Sequence, residues 1–186
     1  MASGDSLLKA SDSILIVVDV QEKFRPVVEG IEEVIRRGQA LIRAAVRLGI
    51  PVLASEQYPK ALGATAAELK QWLPADQIYF PKFCFSAAGC EPLSAALKAT
   101  GRKQVVIFGV ETHVCVMQTG LELIAAGYTV HIVADAVGSR RAMDRDLALS
   151  RLDKHGAELL STEMVVFEWL RVAGTEVFKE LQALVK

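Results

Sequence analysis

Three cysteines, three histidines and the lack of any long apolar run set the first limits on this chain. An odd set of thiols, Cys84, Cys90 and Cys115, makes no disulfide framework, and unpaired cysteines suit a reducing cytoplasm. The longest apolar stretches, residues 14–18 and 105–110, fall far short of the roughly 20 residues that span a bilayer. Residues 1–12 are polar and mixed, without the apolar core of a signal peptide. Lysine and arginine total 21 against 22 acids, a net charge of −1, and no basic cluster stands out. That excludes an electrostatic footprint for nucleic acid or a membrane surface and leaves a small molecule as the natural partner. Linkers, internal repeats and low-complexity stretches are also lacking.

What is present is 186 residues, 52% hydrophobic and 23% charged, which suits a single domain with a full core and is too apolar for disorder. Residues 14–18 are a continuous aliphatic run, the mark of a strand buried on both faces. Further strands are expected over 51–54, 78–80, 104–109, 129–134 and 157–161. Helical spacing fills 31–48, 65–72, 91–100, 112–126 and 142–155, and two more helices, 162–171 and 175–185, close the chain. Gly49, Gly101, Gly127 and Gly156 stop the helices they follow. Thr65 with Glu68 three residues on reads as a capping box. The alternation implies right-handed crossovers and an α/β fold: a Rossmann-like, three-layer α/β/α sandwich around a six-stranded, mainly parallel sheet.

Ligands in such folds bind beyond the carboxyl ends of the strands, so the residues following each strand carry the function. They are Asp19 and Gln21, Glu56 to Pro59, Pro81 to Phe85, Gly109 to Cys115, and Asp135. Three of these loops offer one coherent chemistry. Cys115 lies in the first turn of a helix opened by Thr112, where unpaired N–H groups and the macrodipole favour an anion. Lys82 supplies an ammonium to stabilise a thiolate, and Asp19 a carboxylate to take and return its proton. Each residue also has an ordinary use: a turn-forming Asp, a solvated Lys, a Cys acting as a small hydrophobe. Their meeting at one end of one sheet is what selects the catalytic reading.

The order Val18-Asp-Val-Gln21, Pro81-Lys-Phe83 and Gly109-Val-Glu-Thr-His-Val-Cys-Val-Met-Gln-Thr119 resembles the isochorismatase-like cysteine hydrolase superfamily. That superfamily includes nicotinamidases, N-carbamoylsarcosine amidohydrolases and isochorismatases. The resemblance runs over residues 13–161. Glu56-Gln-Tyr-Pro-Lys-Ala-Leu-Gly63 with Phe83-Cys-Phe-Ser86 is similar to the isochorismatase-domain-containing subgroup. It implies Asp19 as general base, Lys82 as thiolate stabiliser and Cys115 as nucleophile. It also implies a cis peptide between Val110 and Glu111 that turns the Glu111 N–H toward an oxyanion, beside the Cys115 N–H. The Glu111 side chain need not enter the site.

Nicotinamidases hold a metal with an Asp-x-His and a further His after the second strand. Here that stretch is Glu56-Gln57-Tyr58, and His113, His131 and His155 fall elsewhere, so neither a metal nor another cofactor is expected. Isochorismatases cleave a vinyl ether and do not need the Cys; its presence favours acyl chemistry on an amide or ureide. Substrate contacts are expected from Gln21, Phe24, Tyr58, Phe83, Phe85 and Thr112, with core or subunit packing the alternative for Phe83 and Phe85. Cys84 and Cys90 read as structural, His113 as a surface or interface residue, Asp135 as a loop cap, and Arg140 and Arg141 as a solvated loop. The resemblance implies a homo-oligomer, a dimer or larger, and the apolar helix 175–185 covers either the core or a neighbour. A vinyl-ether hydrolase, a peroxide sensor resolved by Cys84 or Cys90, and a binding module without turnover are the competing readings.

Overall fold

The computed structural model describes residues 7–186; the first six residues of the polar opening stretch lie outside it. Its sheet is built from β1 (Ser13–Val18), β2 (Val52–Gln57), β3 (Tyr79–Lys82), β4 (Gln104–Val110), β5 (Thr129–Gly138) and β6 (Glu158–Leu160). The six strands are all parallel, in the order β3-β2-β1-β4-β5-β6. The direction of strand addition reverses at β1, whose neighbours are β2 and β4, and such a switch point opens a crevice at the carboxyl ends.

Among the described residues, eight α-helices flank the sheet: α1 (Ile31–Arg47), α2 (Pro59–Leu62), α3 (Ala67–Lys70), α4 (Glu91–Ala99), α5 (Met117–Ala125), α6 (Ala142–Lys154), α7 (Thr162–Leu170) and α8 (Glu176–Gln182). Alternation along β1 divides the core. Leu15 and Val17 pack with Leu41 and Ala45 of α1, Trp169 of α7 and Leu181 of α8. Ile14, Ile16 and Val18 pack with Leu93 of α4, Leu123 of α5 and Leu152 of α6. Gly49, Gly101, Gly127 and Gly156 follow α1, α4, α5 and α6, each just before a strand, with open space where a side chain would stand. Gly109 is different. Its φ is +131°, and a Cβ there would lie 2.0 Å from the Val18 carbonyl oxygen, so only glycine lets β4 pass β1 at this point. No helix among the described residues is long and apolar enough to cross a membrane.

α2 is a helix the sequence did not announce, and β3 runs on to Lys82; three further differences bear on the site. β2 runs on through Ser55, Glu56 and Gln57, because the Val18–Ser55 and Gln57–Lys82 pairings hold these polar residues in the sheet. β5 continues past Asp135 to Gly138, where it meets Val110. The Thr65–Glu68 capping box does not form: the Thr65 N–H and hydroxyl both donate to Glu56 Oε1, at 2.7 and 2.8 Å, and α3 starts at Ala67.

His131 of β5 is wholly buried, and neither ring nitrogen makes a hydrogen bond; the nearest charge is Glu158 Oε2, 3.4 Å from Nδ1. Burial pushes this histidine down to about 4. The unfolded chain takes the proton near pH 6.5, the folded chain only near 4. His131 therefore favours the fold fully above about pH 6.5, and that contribution is lost as the pH falls to about 4. The loss amounts to about 3 kcal/mol. Urea midpoints between pH 7.5 and 4 should fall more steeply for the natural protein than for His131→Leu; parallel curves would refute this account.

Candidate active site

Asp19 follows β1 directly and takes a positive φ of 51°, a conformation Asp tolerates better than most residues. Ser55 Oγ donates to its Oδ1 at 2.7 Å, and Lys82 Nζ lies 2.7 Å from its Oδ2. Both side chains are fully buried. Lys82 ends β3, level with Gln57 of β2, and its ammonium also donates to Gln57 Oε1 (2.6 Å), the Phe85 carbonyl (2.8 Å) and the Cys84 carbonyl (3.3 Å). Cys115 is buried within a π-helical turn, Thr112–Val116, which joins β4 to α5. Its thiol lies close enough to Asp19 and Lys82 to feel the charge of both. The peptide between Val110 and Glu111 is cis. The structure thus brings Asp19, Lys82 and Cys115 together from the carboxyl ends of β1, β3 and β4.

The electrostatics correct one expectation. Burial pushes the Cys115 thiol up to about 12, and the Asp19 charge adds to this against the opposing pull of Lys82. Burial likewise raises the Asp19 carboxyl, opposed by Lys82, Ser55 and Cys115. The helix start therefore does not present a standing thiolate at neutral pH. The resting site is a thiol beside a carboxylate–ammonium pair. Moving the thiol proton to Asp19 would leave the total charge of the three groups unchanged.

A cavity of about 330 Å³ opens over Cys115, walled by Phe24, Gln57, Leu62, Phe85, Glu111, Val114 and Arg140. Of the expected contacts, Phe24 and Phe85 line it. Gln21, Tyr58, Phe83 and Thr112 do not. Gln21 brackets the backbone of Gln57, accepting from its N–H at 2.8 Å and donating to its carbonyl at 3.0 Å. Tyr58 and Phe83 pack ring against ring at 5.1 Å on the surface, and Phe83 is 75% exposed, which rules out core packing within the chain. Thr112 is fully buried.

Glu111 and Arg140 also wall the cavity, and the Arg140 side chain remains 57% exposed. Arg140 binds the Glu111 carboxylate through Nε (3.0 Å), Nη2 (2.6 Å) and its own backbone N–H (3.1 Å). Burial would raise the Glu111 carboxyl, but Arg140 outweighs it and holds it below its usual range. Asp135 lies inside β5 rather than capping a loop after it; its carboxylate accepts from the Thr162 N–H and hydroxyl at the start of α7. Thr119 is a residue the sequence reading missed. Its hydroxyl donates to the Cys115 carbonyl at 2.6 Å and accepts from the Ala87 N–H at 2.8 Å, tying the loop after β3 to the turn that carries Cys115. Among the described residues, no three His, Cys, Asp or Glu side chains are grouped to hold a metal ion. His113 bonds Ser139, and His155 the Arg151 carbonyl.

Comparison with known proteins adds to this geometry. The isochorismatase domain family matches residues 13–164. Isochorismatase domain-containing protein 1 of Danio rerio is 43% identical over 179 residues, covering 96% of this chain and 62% of the relative. The chain therefore spans about three fifths of that relative's length. Among solved structures, the MAR1 ribonuclease of Caenorhabditis elegans is 37% identical with a TM-score of 0.92, covering 97% of this chain and 92% of that one. YcaC from Pseudomonas aeruginosa, solved with hexane-2,5-diol and covalent acrylamide, is 28% identical with a TM-score of 0.91, over 98% and 93% of the two chains. YcaC of Escherichia coli, an octameric hydrolase of unknown specificity, is 27% identical with a TM-score of 0.91, over 98% and 92%.

Proposed function

The chain belongs to the isochorismatase family, and on that premise we propose that it is a cysteine hydrolase acting on a small, uncharged amide or ureide through a thioester on Cys115. The observation that carries the reading is the buried meeting of Asp19, Lys82 and Cys115 beneath a cavity of about 330 Å³. Asp19 takes the thiol proton as the sulfur attacks the carbonyl carbon. The Glu111 and Cys115 N–H groups receive the developing oxyanion, and Lys82 balances the sulfur's charge. The C–N bond then breaks, and the departing amine leaves with the proton from Asp19. Water, giving its proton to Asp19, cleaves the thioester; the acid departs and the proton returns to sulfur.

The cavity's size and mostly apolar wall favour a small substrate. Arg140, the cation on that wall, is already paired with Glu111, which argues against an anionic substrate and against a phosphodiester of the kind the ribonuclease relative's name suggests. The covalent acrylamide of the P. aeruginosa relative supports a nucleophile of this type. The octameric relative, with the exposed Phe83 here, supports self-association.

Intact-mass spectrometry over a panel of small amides and ureides tests the reading. At least one compound should add its acyl fragment to Cys115 and release its amine. Turnover with no adduct on Cys115, or no turnover of any carbonyl substrate, overturns it.

A further inference from the structure

We propose that Gln57 is a positioning residue for the triad: its neutral amide fixes the Lys82 ammonium so that one N–H remains to follow the negative charge from Asp19 to Cys115. The inference rests on Cys115 as nucleophile and concerns a residue outside the three. An ammonium has three N–H groups and accepts nothing. Two of those on Lys82 go to the nearer neutral oxygens, Gln57 Oε1 at 2.6 Å and the Phe85 carbonyl at 2.8 Å; the third is left for the longer contact with the Cys84 carbonyl at 3.3 Å and the ion pair with Asp19 Oδ2 at 2.7 Å. When the thiol proton passes to Asp19, the carboxylate becomes a neutral acid and the sulfur becomes the anion. The total charge is constant, but the best acceptor for that third N–H has changed. The ammonium need only redirect one hydrogen, provided the other two stay fixed.

Gln57 is built for such fixing. Its Oε1 must face Lys82, which only donates, and its Nε2 must face the Phe83 carbonyl at 3.0 Å, which only accepts. The amide therefore has one orientation. Its backbone is clamped on both sides by Gln21, which reaches on to the Gly63 carbonyl at 2.6 Å. The side chain also walls the cavity, so a bound substrate rests against the group that holds Lys82. The amide's neutrality matters: a carboxylate here would satisfy the ammonium's charge permanently and leave less for the thiolate.

The test measures alkylation of Cys115 by acrylamide against pH, followed by peptide mass so that the exposed Cys84 is scored separately. It needs no hydrolytic substrate. In Gln57→Glu the rate at pH 8 should fall about tenfold or more, with the pH profile displaced upward by about one unit, the displacement corresponding to that rate change. In Gln57→Met, which removes the hydrogen bonds without adding charge, the rate should fall severalfold at every pH and the profile should keep its position. A scaffold role would give both variants equal losses and no displacement. Rates within about twofold of the natural protein in both variants, or the same displacement in both, overturn the proposal. If Gln57→Glu does not fold, Gln57→Met decides alone, and rates within about twofold of the natural protein overturn it. No alkylation of natural Cys115 overturns the nucleophile reading and this proposal together, whereas alkylation with superimposed profiles removes the Gln57 role only.

Discussion

Cys115→Ala should lower hydrolysis of any amide that acylates the natural protein by about 10⁴-fold or more, with little change in stability. In the proposed mechanism the sulfur forms the bond to carbon while Asp19 accepts its proton. Alanine leaves Asp19 and Lys82 paired with each other, so no buried charge loses its counter-ion. The variant should keep the circular dichroism and urea midpoint of the natural protein while steady-state product formation disappears. Full retention of turnover would instead indicate chemistry that bypasses the sulfur, as vinyl-ether hydrolysis does.

The second large effect concerns the ion pair. Lys82→Met strands a carboxylate and Asp19→Asn strands an ammonium, each in a place without solvent. Each single variant should lose about 3–5 kcal/mol of stability, the usual cost of an uncompensated buried charge. The double variant, Asp19→Asn with Lys82→Met, contains neither charge and should recover most of that loss in urea unfolding. Its hydrolytic rate should remain at the level of Cys115→Ala. A double variant no more stable than the weaker single would show that the pair is not coupled. A double variant that turns over amides would remove both residues from the mechanism.

The strands and the main helices were legible because their signals are local. Aliphatic runs such as Ile14 to Val18 have one reading, and their alternation with helices dictates a parallel sheet. The convergence of Asp19, Lys82 and Cys115 followed from that topology. What stayed hidden depends on partners distant in sequence. Glu56 and Gln57 look like loop residues until the pairing of β2 with β3 places them in the sheet and supplies Thr65 and Lys82 as partners. The Glu111–Arg140 pair exists because β5 continues beyond Asp135 to meet Val110; the apolar Ala136-Val137 was the one available hint. The thiol's protonation was misread for a different reason. A helix-start motif reports the local dipole, whereas burial and a neighbouring carboxylate decide the proton.

The helix-to-strand turns at Gly49, Gly101, Gly127 and Gly156 all lie at the amino ends of strands, opposite the cavity, and nothing crowds them. The molecule thus has a working pole and an idle one. Insertions, tags or fused modules joined at the idle pole would add bulk on the far side of the sheet. Diversification there leaves the chemistry alone, while a single altered side chain at the other pole redraws it.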